Sequence, residues 1–254
     1  YYMSKKYNYW FEVDNGQATL IKYTGEEYHV KLPSSIYGVP VTKLGEYEVL
    51  NLSGAAKRGI FEDSNVSEVS IPEGVTEICN DAFYSSGLCE VNIPSSVRVV
   101  GTRAFAFCKY LRSVEFETGI KTISESMFSN CKNLRFIELP SSVEKIEGDA
   151  FAECALQKID LPENINTIES YAFRECDSLT FVTIPPKVTS INSGTFYSCD
   201  FLEKVNIHDE VKYIANDAFD RCDKLTVCGI KGSYAEQYAN EHNIPFEELN
   251  NIVD

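Results

Sequence analysis

Positive charge is what this 254-residue sequence lacks most: 23 Lys and Arg face 38 Asp and Glu, for a net charge of −15. So acidic a surface repels phosphate backbones, which argues against nucleic acid as a partner. It equally disfavours passive attachment to anionic lipid. Long apolar runs are missing too; none approaches the ~20 residues that cross a bilayer, and membrane insertion is not expected. The chain opens on Tyr1 without a Met or an apolar leader, the pattern expected of an excised or processed chain. Histidine is scarce: His29, His208 and His242 stand alone, none with a second His at a ligand spacing. G-x-S-x-G, H-E-x-x-H and a phosphate loop are all absent, and the acidic residues are scattered. No catalytic site, metal or cofactor is therefore expected of this segment. Nine cysteines occur without a CxxC pair, and an odd count cannot close completely into intrachain disulfides. The prolines are equally dispersed and act as punctuation rather than as a Pro-rich ligand.

What is present is globular in kind, 44% hydrophobic, enough for a sizeable core. It is also periodic. Phe83, Phe105, Phe128, Phe151, Phe173, Phe196 and Phe219 follow one another at gaps of 22, 23, 23, 22, 23 and 23 residues. A fixed period in this range is the signature of a solenoid. Five residues before each Phe stands an aliphatic, from Ile78 and Val100 to Ile191 and Ile214, and three before that another, from Val75 to Val211. Three after the Phe lies Ser86, then Cys108, Cys131, Cys154, Cys176, Cys199 and Cys222. The shorter units lose one residue at one joint: Cys154 leads to Leu156, where Cys176 leads to Leu179. Ser86 to Leu88 shows the same contraction, which marks the joint as a surface turn.

Segments such as Leu134-Arg-Phe-Ile137-Glu-Leu139-Pro140 alternate apolar with other residues and read as short strands with one buried face. Proline, lacking an N–H, closes them. Stacked coils would place strand beside strand at ~4.8 Å in one long parallel sheet, with Phe, Ile, Val, Leu and Cys in interior columns. The ends depart from the pattern, as a solenoid requires. Tyr7–Val13 and Gln17–Tyr23 alternate around Asp14-Asn15-Gly16, a hairpin signal. Val30-Lys-Leu32-Pro33 looks like the first rung. The frame then breaks between Leu44 and Phe61, where twelve extra residues intrude. Ser233-Tyr-Ala-Glu236 is a capping box that should start a short helix reaching about His242, with Ile244-Pro245-Phe246 tucked under the last rung.

The unit I-P-x-x-V-x-x-I-x-x-x-A-F-x-x-C-x-x-L-x-x-V-x resembles the BspA-like, or Treponema-type, leucine-rich repeat over roughly Val30–Ile230. The end segment Gly232-Ser-Tyr-Ala-Glu-Gln-Tyr-Ala resembles that family as well. The expected fold is an α/β solenoid: a right-handed leucine-rich-repeat superhelix with one long parallel sheet. Its divisions are a hairpin cap over 1–29, repeats over 30–230 with an insertion near 45–60, and a helical cap over 231–254, in one domain. The resemblance implies a bacterial cell-surface or secreted protein in adhesion or host contact, with a protein or glycan on a host or microbial surface as partner. The alternative is a scaffold or targeting domain of a larger polypeptide whose enzymatic part lies elsewhere.

Two features invite sharper readings. The cysteine column could be a metal ladder or a chain of disulfides, but parallel Cβ vectors suit neither, and a small buried hydrophobe at a tight turn is the plainer account. Ser86 and Ser64 at the same position support the plainer one. On the strands, residues flanking the inward aliphatics face outward. One outward column reads Glu68, Glu90, Ser113, Phe136, Lys158, Phe181, Lys204 and the next Ser70, Asn92, Glu115, Glu138, Asp160, Thr183, Asn206. Phe136 and Phe181, with Lys158 between them and Glu115, Glu138 and Asp160 alongside, form the candidate partner-binding site. The competing reading is that the two rings only cover neighbouring strand surface or serve contacts between copies.

Overall fold

The computed structural model describes residues 2–249 except 5, 7, 52, 53 and 118, and only the backbone of 49–51, 54 and 55. Most coils contribute two short extended segments, and most segments pair in parallel with their counterparts one coil away. The L-x-x-V-x-I segments form the first ladder: His29–Lys31, Glu68–Ser70, Glu90–Ile93 and Ser113–Phe116, with Val30, Val69, Val91 and Val114 in register. It resumes at Phe181–Thr183, Lys204–Ile207 and Thr226–Gly229. The V-x-x-I segments form the second, from Val39–Leu44 through Glu77–Ile78, Val99–Val100, Thr122–Ile123, Lys145–Ile146 and Thr167–Ile168 to Ser190–Ile191 and Tyr213–Ile214. The parallel β-structure expected as one long sheet is thus divided between two ladders, each interrupted. Where the second breaks, side chains replace the backbone: Ser124 Oγ donates to the Val100 carbonyl and Asn192 Nδ2 to that of Ile168, each at 2.6 Å.

Between the ladders the A-F-x-x-C stretch makes a turn with an unusual backbone. Two residues after each Phe, φ is positive at Asp63, Ser85, Phe107, Asn130, Glu153, Glu175, Ser198 and Arg221, between 56° and 64°. Two residues before it, φ is again positive at Asp81, Arg103, Ser126, Asp149, Tyr171 and Gly194. A left-handed residue other than glycine is disfavoured by roughly 1–2 kcal/mol. The alternation turns every second N–H along the solenoid axis, which is what offsets the strain. Asp81, Phe83 and Ser85 donate to the carbonyls of Thr102, Ala104 and Ala106 in the next coil at 3.0, 2.7 and 2.9 Å. The residues between close local turns, as Tyr84 does on Asp81 and Ser86 on Phe83. This third hydrogen-bonded ladder contains no strand.

Inside, the expected columns are present. Phe61, Phe83, Phe105, Phe128, Phe151, Phe173, Phe196 and Phe219 stack ring on ring, with centroids 5.1–5.5 Å apart and planes within 13° of parallel. A centroid distance above the coil spacing means the rings are offset, the arrangement their quadrupoles prefer. Both caps continue the stack. Tyr23 lies 5.4 Å from Phe61, and Tyr238 meets Phe219 edge-on at 6.0 Å. One connected core runs from Tyr9 to Ala239.

The N-terminal hairpin pairs Tyr9–Asp14 with Gln17–Tyr23 around Asn15 and Gly16, whose φ values of 48° and 74° suit a two-residue turn. Tyr7 lies outside the described residues, and Tyr2–Ser4 adds a third antiparallel strand. Gln17–Tyr23 then pairs in parallel with Val39–Leu44, which grafts the cap onto the second ladder. The insertion is a second hairpin, Glu46–Asn51 with Gly54–Gly59. It returns through Gly59, where an added Cβ would lie 1.9 Å from the Asp81 carbonyl oxygen. At the other end a helix spans Tyr234–Glu241. The expected capping box is not made: Glu236 Oε2 accepts from the N–H of Gly232 at 2.6 Å, the Ser233 N–H goes to the Ile230 carbonyl, and the buried Ser233 hydroxyl has no partner among the described residues. The left-handed turn at Gly232 (φ 82°) presents its own N–H to the carboxylate in place of Ser233's. Phe246–Glu248 pairs in parallel with Val227–Gly229 and closes the last rung.

Candidate binding face

The first ladder turns its alternate residues outward in two columns, as the pleat demands. Backbone register aligns His29, Glu68, Glu90 and Ser113 in one column and Lys31, Ser70, Asn92 and Glu115 in the other. Further along, Phe181 aligns with Lys204 and Thr183 with Asn206. Between these runs the pairing thins to a single bridge, Glu138 to Asp160. The interruption falls where Glu115, Glu138 and Asp160 occupy adjacent coils, and the bridge that persists there joins two of those acidic residues.

A shallow groove of about 550 Å³ opens at this interruption, lined by Arg112, Ser113, Glu115, Phe116, Phe136 and Glu138. Phe136 stands at its edge with 60% of its surface exposed. The Glu115 and Glu138 carboxylates are exposed, with no hydrogen-bond or ion-pair partner among the described residues. Asp160 is held differently, accepting from Lys158 Nζ at 2.9 Å in an exposed pair that contributes little to stability. Phe181 does not share the exposure of Phe136. It is half-buried, on a strand that pairs fully with Lys204–Ile207. The structure thus places Phe136, Glu115 and Glu138 around one groove, with Lys158 and Asp160 paired beyond it.

The cysteine column has a structural task. Each thiol donates to the carbonyl of the preceding coil's Phe, from Cys108 to Phe83 at 3.0 Å and Cys131 to Phe105 at 3.2 Å, through to Cys222 on Phe196 at 3.0 Å. Burial raises the Cys108 pKa to about 11 and pushes Cys131 and Cys176 well above the ordinary thiol value. A thiol kept protonated is a poor nucleophile and metal ligand. The histidines are likewise engaged. His208 stands in place of a proline, its Nε2 2.8 Å from the Pro185 carbonyl and its Nδ1 accepting from the N–H of Glu210. His29 contacts Glu68 at 2.7 Å, and His242 stacks on Tyr238 at 4.0 Å. Among the described residues no three His, Cys, Asp or Glu side chains converge as a metal site, and no helix is long and apolar enough to cross a membrane.

The family model for the BspA type leucine-rich repeat region matches residues 55–160 and 104–226, in six copies. The chain belongs to the BspA-type leucine-rich repeat family. Three solved structures share the fold of this BspA-type chain. The leucine-rich repeat protein of T. pallidum superposes with a TM-score of 0.64 at 24% identity, covering 97% of this chain and 98% of that one. A Bacteroides ovatus leucine-rich repeat protein gives 0.63 at 21%, covering 95% and 74%. A leucine-rich cell surface protein of Faecalibacterium prausnitzii gives 0.53 at 22%, covering 98% and 95%. No curated protein matches the chain.

Sequence reasoning missed one set of exposed residues. Phe107 and Tyr110 lie on the turn that leads into Ser113–Phe116, 44% and 51% exposed. The signal was available in the repeat frame. Phe107 occupies a position that is Asp, Ser, Asn, Glu or Arg in the other coils.

Proposed function

We propose that this BspA-type chain is a non-catalytic binding module, displayed on a bacterial surface or secreted, that adheres to a host protein, a glycan or another microbe through the interrupted strand face. The observation that carries the reading is Phe136: a large ring left in water beside two unpaired carboxylates. Folding alone does not favour that arrangement, whereas an apolar anchor rimmed by charge is how interaction patches commonly work. The acidic groove selects a partner that brings cationic groups to Glu115 and Glu138 while covering the Phe136 ring. Membership of a bacterial repeat family and likeness in fold to a cell surface protein support display outside the cell.

The test is binding of the purified chain and of Phe136→Ser to arrays of extracellular-matrix proteins and glycans, with melting curves recorded in parallel. A partner that the parent binds and Phe136→Ser loses, at unchanged melting temperature, supports the reading. A partner bound equally by both would remove the strand face from consideration.

A further inference from the structure

A second groove, of about 520 Å³, lies over the turns that follow each Phe and shares no residue with the groove at Phe136. Its shape follows from the repeat lengths. The coils of Phe61 and Phe83 carry the contracted joint, Ser64-Asn65-Val66 and Ser86-Gly87-Leu88. The coils of Phe105 and Phe128 carry the longer one, Lys109-Tyr110-Leu111 and Lys132-Asn133-Leu134. Short turns beside long turns make a step. Ser64, Asn65 and Ser86 supply its floor, and Phe107, Lys109 and Tyr110 its wall. Gly87 permits the low floor, since a Cβ there would crowd the Asn65 carbonyl oxygen at 3.1 Å.

Two observations in this groove have no explanation in folding. Phe107 is bulky, exposed and held at φ 60°, in a position where a short polar residue relieves the strain and Asn130 does so in the next coil. Its ring is nevertheless fixed, tilted against Tyr84 at 5.3 Å, with the Arg103 guanidinium over Tyr84 in turn. Lys109 lies over the Tyr110 ring at 5.1 Å and has no carboxylate partner among the described residues, in a chain of net charge −15. The Ser64 hydroxyl beneath the floor is buried, unpartnered among them and out of a ligand's reach. It holds the place of the column thiols but has no preceding Phe carbonyl to donate to.

The geometry points to a saccharide subsite for an acidic sugar, one carrying a carboxylate such as a sialic or uronic acid. Exposed rings of Phe107 and Tyr110 offer flat apolar platforms to the C–H face of a pyranose. The Asn65 side-chain amide offers a partner to the sugar hydroxyls, and Lys109 offers the counter-charge to the carboxylate. This subsite uses none of the residues of the strand face and stands or falls apart from it.

The experiment titrates the whole chain with 3′-sialyllactose, with a glucuronate-containing hyaluronan tetrasaccharide, and with lactose as the neutral control, observed by saturation-transfer and chemical-shift NMR. Binding of at least one acidic probe is expected, about tenfold tighter than lactose, the increment of one charge-assisted contact. Phe107→Asn should abolish it while raising the melting temperature, because Asn suits the left-handed position. Lys109→Ala should reduce the acidic probe to the affinity of lactose. Failure of both acidic probes to bind, equal affinity for lactose, or unchanged binding by Phe107→Asn would each overturn the proposal.

Discussion

The Cys154 thiol lies 2.9 Å from the carbonyl oxygen of Phe128, one coil earlier, and donates to it. That carbonyl already accepts the N–H of Cys131 at 3.2 Å, so one oxygen ties a coil both to itself and to its successor. The column cysteines are therefore hydrogen-bond donors as well as small apolar fillers. Replacing Cys154 with Ser should keep a donor facing the Phe128 carbonyl and shift the urea midpoint little. Cys154→Ala should lose roughly 1–2 kcal/mol, from the deleted bond and the small cavity. Equal stability of the two variants in urea titration would show that the thiol is only filling space.

Phe151 is sandwiched between Phe128 and Phe173 at 5.5 and 5.4 Å and is fully buried. Phe151→Ala should destabilise the chain by about 3–5 kcal/mol through the cavity left in the stack. Hydrogen exchange should locate the loosened amides in the adjoining coils, because a solenoid unit touches only its neighbours. An unchanged melting temperature would contradict the stacked core.

Stability should decline in alkali. Burial raises the Cys108 thiol from its ordinary value of 9.0 to about 11, so the folded chain holds a proton that the unfolded chain releases. The contribution is complete below pH 9 and is lost as pH rises from 9 towards 11. The melting temperature should fall across that interval, and fall less in Cys108→Ser. Parallel curves for the two proteins would exonerate the thiol.

Gly194 and Gly232 both have positive φ, at 57° and 82°, but only one is crowded. A Cβ on Gly194 would meet the Tyr171 ring at 2.2 Å, whereas nothing lies within 4 Å of one on Gly232. Gly232→Ala should carry only the backbone penalty of about 1–2 kcal/mol, and Gly194→Ala more. Denaturation midpoints in the reverse order would mean that the Tyr171 ring moves aside freely.

Much of this architecture was legible from residue spacing because a solenoid is close to one-dimensional: a residue's neighbours are its own repeat mates one coil away. Phe83 to Phe219 could be placed in one stack by counting. Other features were not accessible to counting. The insertion after Leu44 gave no strand signal strong enough to announce the Glu46–Gly59 hairpin, since its second arm is rich in Gly, Ala and charge. Phe136 and Phe181 look alike in the frame, yet one is exposed and the other half-buried. The difference follows the pairing of the neighbouring coil, which is in full register beside Phe181 and thins to the Glu138–Asp160 bridge beside Phe136.

The amino-acid order by itself determined the coil, its length, its interior columns and the presence of distinct ends, because period and apolarity are local and repeat exactly where burial requires them. Only the tertiary structure decided which outward side chains lie in water, where the ladders break, and that the turn after each Phe runs through alternating left-handed residues. Those outcomes come from contacts between coils, where one-residue differences in turn length and hydrogen bonds along the axis compete, and no single repeat contains both partners.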